Sequence, residues 1–203
     1  PSATVQNGAA TVSFTASSSN GGAQITSYTV TAYAGDGVTV AGTCTATPPA
    51  TSCQITGLTN GSAYTYKVVA NNINGGSAAS VASAAVTPAT VPGAPATVTA
   101  SAATATTATI NIGAATSNGG STITEYEIIA TPAGGGTPIR LTVTAADIAN
   151  AVSLTGLTPG TTYSITTLAT NAVGDGATTA ASSTITTPAA PPSAPSITSA
   201  ANA

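Results

Sequence analysis

Thr56-Gly57-Leu58-Thr59-Asn60-Gly61-Ser62-Ala63-Tyr64 returns as Thr155-Gly156-Leu157-Thr158-Pro159-Gly160-Thr161-Thr162-Tyr163, 99 positions further along. Other blocks recur around it in the same order. Ser19-Asn20-Gly21-Gly22-Ala23-Gln24-Ile25-Thr26-Ser27-Tyr28 matches Ser117-Asn118-Gly119-Gly120-Ser121-Thr122-Ile123-Thr124-Glu125-Tyr126 at an offset of 98. Thr87-Pro88 matches Thr187-Pro188 at 100. Three ordered blocks with so small a drift mark an internal repeat of about one hundred residues. The chain has 203 residues, so it holds two copies, each of ordinary domain size.

Within a copy, short β-rich runs alternate with turn residues. Thr11-Val12-Ser13-Phe14 precedes the Asn20-Gly21-Gly22 turn. Ile25 to Tyr33 alternates until Gly35-Asp36-Gly37 interrupts it. Gln54-Ile55 leads into Leu58, and Tyr64-Thr65-Tyr66-Lys67-Val68-Val69-Ala70 is the longest strand candidate. Asn74-Gly75-Gly76 turns the chain into a last strand ending at Pro88. Strands spaced in this way, with Gly and Asn at the turns, predict an all-β antiparallel sandwich. No segment sustains the 3.6-residue period of a helix.

Leu-x-x-Gly-x-x-Tyr, followed by alternation and then Asn-x-x-Gly, resembles strands E and F and the F–G turn of fibronectin type III domains. Pro92-Gly93-Ala94-Pro95 is similar to the approach to strand A, and Ser-Asn-Gly-Gly-x-x-Ile-Thr-x-Tyr to the B–C turn of bacterial members. The likeness covers nearly the whole chain. It implies two tandem Ig-like (fibronectin type III) β-sandwiches of the bacterial secreted or cell-surface kind. It also places Tyr64 and Tyr163 at the tyrosine corner, where a buried ring bonds its hydroxyl to the E–F backbone. One departure is the strand B Trp of animal modules, which is Phe14 in the first copy and Ile112 in the second.

Sliding the second copy back by 98 puts its first strand mostly before Pro1. Residues 1–90 are therefore expected to form a module lacking most of strand A, and 91–190 a full one. Residues 191–203 repeat the approach motif as Pro192-Ser193-Ala194-Pro195 and form an extra C-terminal strand A segment. Two readings follow. In one, the ends of the chain do not coincide with module edges in a longer array. In the other, residues Pro195, Ser196, Ile197, Thr198 and Ser199 are a donor strand. They would fill an acceptor groove near Val12 and Phe14 on another copy. That operation is head-to-tail and open, so it builds a filament.

Charge separates the possible functions. Two basic and five acidic residues amount to 3% charged, against about 25% in ordinary soluble domains. There is no basic patch for nucleic acid or for a membrane surface, and no apolar run of about 20 residues to span a bilayer. A surface protein held in an array fits this composition, since copies there need no charge repulsion to keep them apart. The chain opens without a basic n-region and apolar h-region.

The inventory is equally poor in chemistry. With no His there is no conventional base for a serine nucleophile. Glu125 and Glu127 share one strand face and read as solvated rather than as a glycosidase pair. No dense ligand loop surrounds Glu125, Glu127, Asp147 or Asp175 for calcium. Lys67 is the only lysine and is expected to point outward; Asn60-Gly61-Ser62 is a glycosylation sequon on a turn. Cys44 and Cys53 are the only cysteines. Zinc would need further ligands and a redox pair prefers Cys-x-x-Cys, so a structural disulfide is expected, with the oxidising compartment that implies.

The expectation is a non-enzymatic structural repeat unit without cofactors, in a secreted or cell-surface filament, sheath or stalk. Its partners would be other copies of itself. The alternative is an adhesin or carbohydrate-enzyme accessory module binding glycan or protein. Glycan faces usually offer exposed aromatics; this chain has no Trp, and Tyr28, Tyr64, Tyr126 and Tyr163 are expected to be buried.

Overall fold

The computed structural model describes residues 1–179 and 183–194. The fold is all-β, in two compact units. The first sandwich contains β1 (Ser2–Gln6), β2 (Ala9–Ser13), β3 (Ser27–Ala34), β4 (Val40–Ala46), β5 (Ser52–Thr56), β6 (Tyr64–Asn72) and β7 (Gly75–Gly76). They form one sheet in the order β1-β2-β5 and another in the order β4-β3-β6-β7. The second contains β8 (Val98–Ala102), β9 (Thr107–Ile112), β10 (Ile123–Pro132), β11 (Ile139–Thr144), β12 (Val152–Thr155), β13 (Thr162–Asn171), β14 (Gly174–Asp175) and β15 (Ser183–Thr186). Its sheets run β12-β9-β8 and β11-β10-β13-β14, with β15 also on β13.

Period-two alternation builds each core, because successive strand side chains point to opposite faces. Tyr28, Val30 and Ala32 of β3 lie on the inner face of one sheet beside Tyr64, Tyr66 and Val68 of the neighbouring β6, and Val12, Ile55 and Leu58 belong to the same core. In the second sandwich Ile110, Ile128, Leu154, Leu157, Tyr163 and Ile165 are the buried equivalents. The missing Trp is covered differently in the two copies: Ile112 is buried, whereas Phe14 is only half-buried and tilts against Tyr28 at 4.9 Å between centroids.

The expected gap at strand A is not there. Ser2–Gln6 forms β1 and pairs with β2, Ala3 facing Val12 as Ala100 faces Ile110 in the second sandwich. Val12 is fully buried and its strand is paired on both edges, by β1 and by β5. The acceptor groove placed beside Val12 is therefore occupied by the chain's own strand. A fixed offset hid this because the two A–B hairpins differ in length. Asn7-Gly8 alone joins β1 to β2, whereas residues 103–106 join β8 to β9. Gly8 takes φ 62°, a conformation costly for a residue with a Cβ, and its N–H donates to Asn60 Oδ1 at 2.8 Å. The donor strand itself, Pro195 to Ser199, lies outside the described residues.

The last segment of the first sandwich departs from a β ladder. Backbone N–H groups of Ser77, Ser80 and Ser83 donate to the carbonyls of Ala70, Val68 and Tyr66 on β6. The N–H groups of those same three β6 residues donate to the Ser77, Ser80 and Ser83 hydroxyls at 3.0–3.1 Å. Each hydroxyl then donates to the carbonyl of the residue after it. Serine at every third position thus replaces the carbonyls that a regular strand would offer. In the second sandwich Thr179 does the same for Thr167, accepting from its N–H at 3.2 Å.

Ser80→Ala should therefore destabilise the first sandwich by about 1–2 kcal/mol, the usual cost of orphaning a partly buried donor. Ser80→Thr should be nearly silent. Urea unfolding of both variants checks this; equal losses would mean that the hydroxyl is not what matters.

Candidate functional site

Of the residues singled out by sequence, the structure places the tyrosine corners, the cysteines and the acceptor-groove pair, while the donor strand lies outside the described residues. The Tyr64 and Tyr163 rings are buried, at 6% and 2% exposure. Their hydroxyls accept from the Thr59 and Thr158 N–H groups at 3.0 and 2.9 Å, tying the E–F turn to strand F. A second tyrosine pair performs a similar task, which sequence reading reached only as burial. The Tyr28 hydroxyl accepts from Ser17 N–H at 3.3 Å, and that of Tyr126 from Ala115 N–H at 3.1 Å. The signal was the repeated Ser-Asn-Gly-Gly block ending in Tyr.

Cys44 and Cys53 are bonded, with Cα atoms 6.0 Å apart. Cys44 is on β4 and Cys53 on β5, so the bond joins the edges of the two sheets. Both are half-buried against the core. The bond closes a loop with a sequence separation of 9, for which chain entropy predicts roughly 2.5 kcal/mol.

The charged residues are dispersed. Glu127 pairs with Arg140 at 2.7 Å, half of that pair being well exposed, which makes it a surface bridge of small worth. Lys67 sits 5.2 Å from the centre of the Tyr33 ring, a cation–π contact. The Thr39 hydroxyl and the Val38 and Thr39 N–H groups hold the Asp36 carboxyl below its usual range, and Thr144 does the same for Asp147. Both carboxylates lock turns. Among the described residues no group of three or more His, Cys, Asp or Glu converges as a metal site would require. No helix is long and apolar enough to cross a membrane.

What remains is the end of each sandwich where the B–C and F–G turns meet. In the second sandwich this rim is occupied by the segment preceding β8. Thr90 N–H donates to Gly119 O at 2.8 Å, Gly93 N–H to Ser117 O at 2.9 Å, and Ala96 N–H to Ala114 O at 2.9 Å. Pro95 bridges to Ala115 and is buried. The Asn171 amide donates to the carbonyls of both Thr90 and Asn118 at 2.8 Å, clamping the segment to the turn.

The first sandwich repeats the turn of this rim, with Ser17 and Ser18 where the second has Ala115 and Thr116. The Asn72 amide donates to Asn20 O at 2.8 Å, and the turn is held by Gly22 N–H on Asn20 Oδ1 as Gly120 N–H is on Asn118 Oδ1. Here Ala16 to Gly21 are exposed. A cleft of about 280 Å³ opens beside them, lined by Phe14, Tyr28, Val68, Ser77, Ala78 and Ser80, with Pro1 at its edge. Next to it lies a polar cleft of about 400 Å³ with Asn20, Asn71, Asn72 and Asn74 on its walls. Phe14, placed by sequence in an acceptor groove, does line an open surface; Val12 does not.

A model of the fibronectin type III domain matches residues 2–86 and again residues 93–185. No curated protein matches the chain. Among solved structures, the chicken CNTN1 FN1-FN3 domains are 19% identical with a TM-score of 0.48; the match covers 92% of this chain and 64% of that one, so this chain spans less than two thirds of its length. A two-domain fibronectin type III segment of chicken tenascin is 20% identical, TM-score 0.47, over 91% of this chain and 95% of that one. The FN5 domain of Drosophila Lar is 28% identical, TM-score 0.41, over 49% of this chain and 100% of that one.

Proposed function

This chain belongs to the fibronectin type III family, and from that premise we propose that it is a non-enzymatic structural repeat unit of a secreted or cell-surface filament, sheath or stalk, joined head-to-tail to further copies. The observation that carries this reading is the recurrence of the approach motif. Pro92-Gly93-Ala94-Pro95 leads into the second sandwich, and Pro192-Ser193-Ala194-Pro195 repeats it after that sandwich, as in a tandem array. The disulfide supports an oxidising compartment, and 3% charged residues suit a subunit fixed in an array.

The alternative, a glycan-binding or adhesive module, draws on the polar cleft walled by asparagines. Against it stands the use of the aromatics. Tyr28, Tyr64, Tyr66, Tyr126 and Tyr163 are buried, and the sixth, Tyr33, is half-buried with Lys67 Nζ 5.2 Å from its ring centre. Five of the six tyrosines are thus withdrawn from stacking on sugar.

Electron microscopy of the native material tests the proposal. The expected result is fibres with an axial repeat of two modules. Dispersed particles at all concentrations, together with retention on a glycan array, would replace it with the alternative.

A further inference from the structure

We propose that Asn74-Gly75, at the F–G tip of the first sandwich, is a self-modifying site. Its asparagine deamidates without an enzyme, to aspartate and isoaspartate, and so marks the age of the molecule. The inference does not depend on the proposed filament.

The chain holds five Asn-Gly pairs, beginning at Asn7, Asn20, Asn60, Asn74 and Asn118. Such pairs are the most prone to this reaction, because glycine has no side chain to obstruct it. The glycine backbone nitrogen gives up its proton to a solvent base and attacks Asn Cγ. The new N–Cγ bond closes a five-membered imide while the Cγ–Nδ2 bond breaks and ammonia leaves. Water then opens the imide at either carbonyl. One product is aspartate; the other is isoaspartate, in which the backbone runs through Cβ. The asparagine amide must be free to swing onto the next nitrogen, so any bond holding either group has to open first.

Four of the pairs are held. Asn60 Oδ1 accepts from Gly8 N–H and Asn60 Nδ2 donates to Asn7 Oδ1, both at 2.8 Å, so the two asparagines restrain each other and one attacking nitrogen. Gly61 N–H donates to Pro88 O at 2.9 Å. Asn20 Oδ1 is taken by Gly22 N–H at 3.0 Å, and Asn118 Oδ1 by Gly120 N–H at 2.9 Å. The nitrogens that would attack them, those of Gly21 and Gly119, donate to the Ser19 and Ser117 hydroxyls. Asn74 differs. It is exposed, and its hydrogen bond within the described residues is made by its backbone N–H, to Asn72 Oδ1 at 2.8 Å, leaving its side-chain amide loose. Gly75 opens β7, whose ladder is two pairs long, Asn72 with Gly75 and Asn71 with Gly76. So short a ladder at a hairpin tip is among the first parts of a sheet to open.

The exposure of this tip does not depend on what precedes β1. Counting from Asn72 and Asn171, the second sandwich has Val173-Gly174 at the same place. Its rim is filled by the segment from Thr90 to Ala96, yet Val173 is still 52% exposed. A chain docked on the B–C turn therefore leaves the F–G tip in solvent. With valine there, the second sandwich has no amide to lose at this position.

The test incubates the full chain at mildly alkaline pH in water enriched in oxygen-18, with samples taken over weeks for peptide mapping and anion exchange. Each conversion incorporates solvent oxygen and adds one negative charge. A parallel sample unfolded in guanidinium chloride gives the intrinsic rate of every pair. In the folded chain Asn74 should convert at close to its unfolded rate, with Asn7, Asn20, Asn60 and Asn118 slowed at least about tenfold. Asn74→Ser should remove the first acidic species to appear. Another pair converting as fast as Asn74, protection of Asn74 equal to that of the other four, or an unchanged early acidic species in Asn74→Ser would each overturn the inference.

Discussion

Tyr64→Ala is expected to lower the stability of the first sandwich by about 3–5 kcal/mol, and Tyr163→Ala that of the second by a similar amount, as for other buried aromatics cut to alanine. Two losses combine. The ring leaves a cavity in the core of the first sandwich, and the Thr59 N–H loses the hydroxyl that it donates to at 3.0 Å. Phenylalanine separates them: Tyr64→Phe keeps the ring and should cost only about 1–2 kcal/mol, the orphaned donor. Differential scanning calorimetry reads the two modules as two transitions. In each alanine variant one transition should fall by roughly 4–8 °C per kcal/mol while the other stays in place. Joint melting in either variant would show that the two cores are not independent.

Removing the disulfide comes next in size. Cys44→Ala with Cys53→Ala should destabilise the first sandwich by roughly 2.5 kcal/mol through the entropy returned to its unfolded chain. The second sandwich has no cysteine and serves as an internal control: reductant should shift only one calorimetric transition. The bond is placed where the sandwich is otherwise tied by packing alone, between edge strands β4 and β5 of different sheets. Alkylation of both thiols in the native protein without reduction would contradict the bond itself and remove the main support for an oxidising compartment.

How much of this was legible in the sequence depended on whether a signal was local and periodic. Alternation along Tyr64 to Ala70 and the paired turn motifs lead directly to two sandwiches, since period two is a property of the strand itself. The A–B hairpin was misread because comparison at one offset assumes equal loops. Asn7-Gly8, flanked by alternating residues, was itself a hairpin signal that the offset overrode. The spacing of Ser77, Ser80 and Ser83 matches neither strand nor helix, so it carried no message until their hydroxyls were seen beside β6. Tyr66 is a further case. Its hydroxyl is buried and finds no partner among the described residues, and burial pushes its pKa up. The Leu-x-x-Gly-x-x-Tyr motif marks out Tyr64 as hydrogen-bonded, but no motif announces a buried hydroxyl at Tyr66.

The serine-spaced segment also bears on the sheet edge that the first sandwich presents. With 3% charged residues, the protein lacks the usual electrostatic defence against lateral sticking, and an open strand edge would template fusion of neighbouring sheets. Along residues 77–84 that template is spoiled from within. The carbonyls of Ala78, Val81 and Ala84 are already taken by the preceding hydroxyls, and acceptors repeating every third residue cannot match a partner that repeats every second. A regular strand therefore pairs poorly in register with this border. For the first sandwich, the edge is protected by hydroxyl groups instead of ions.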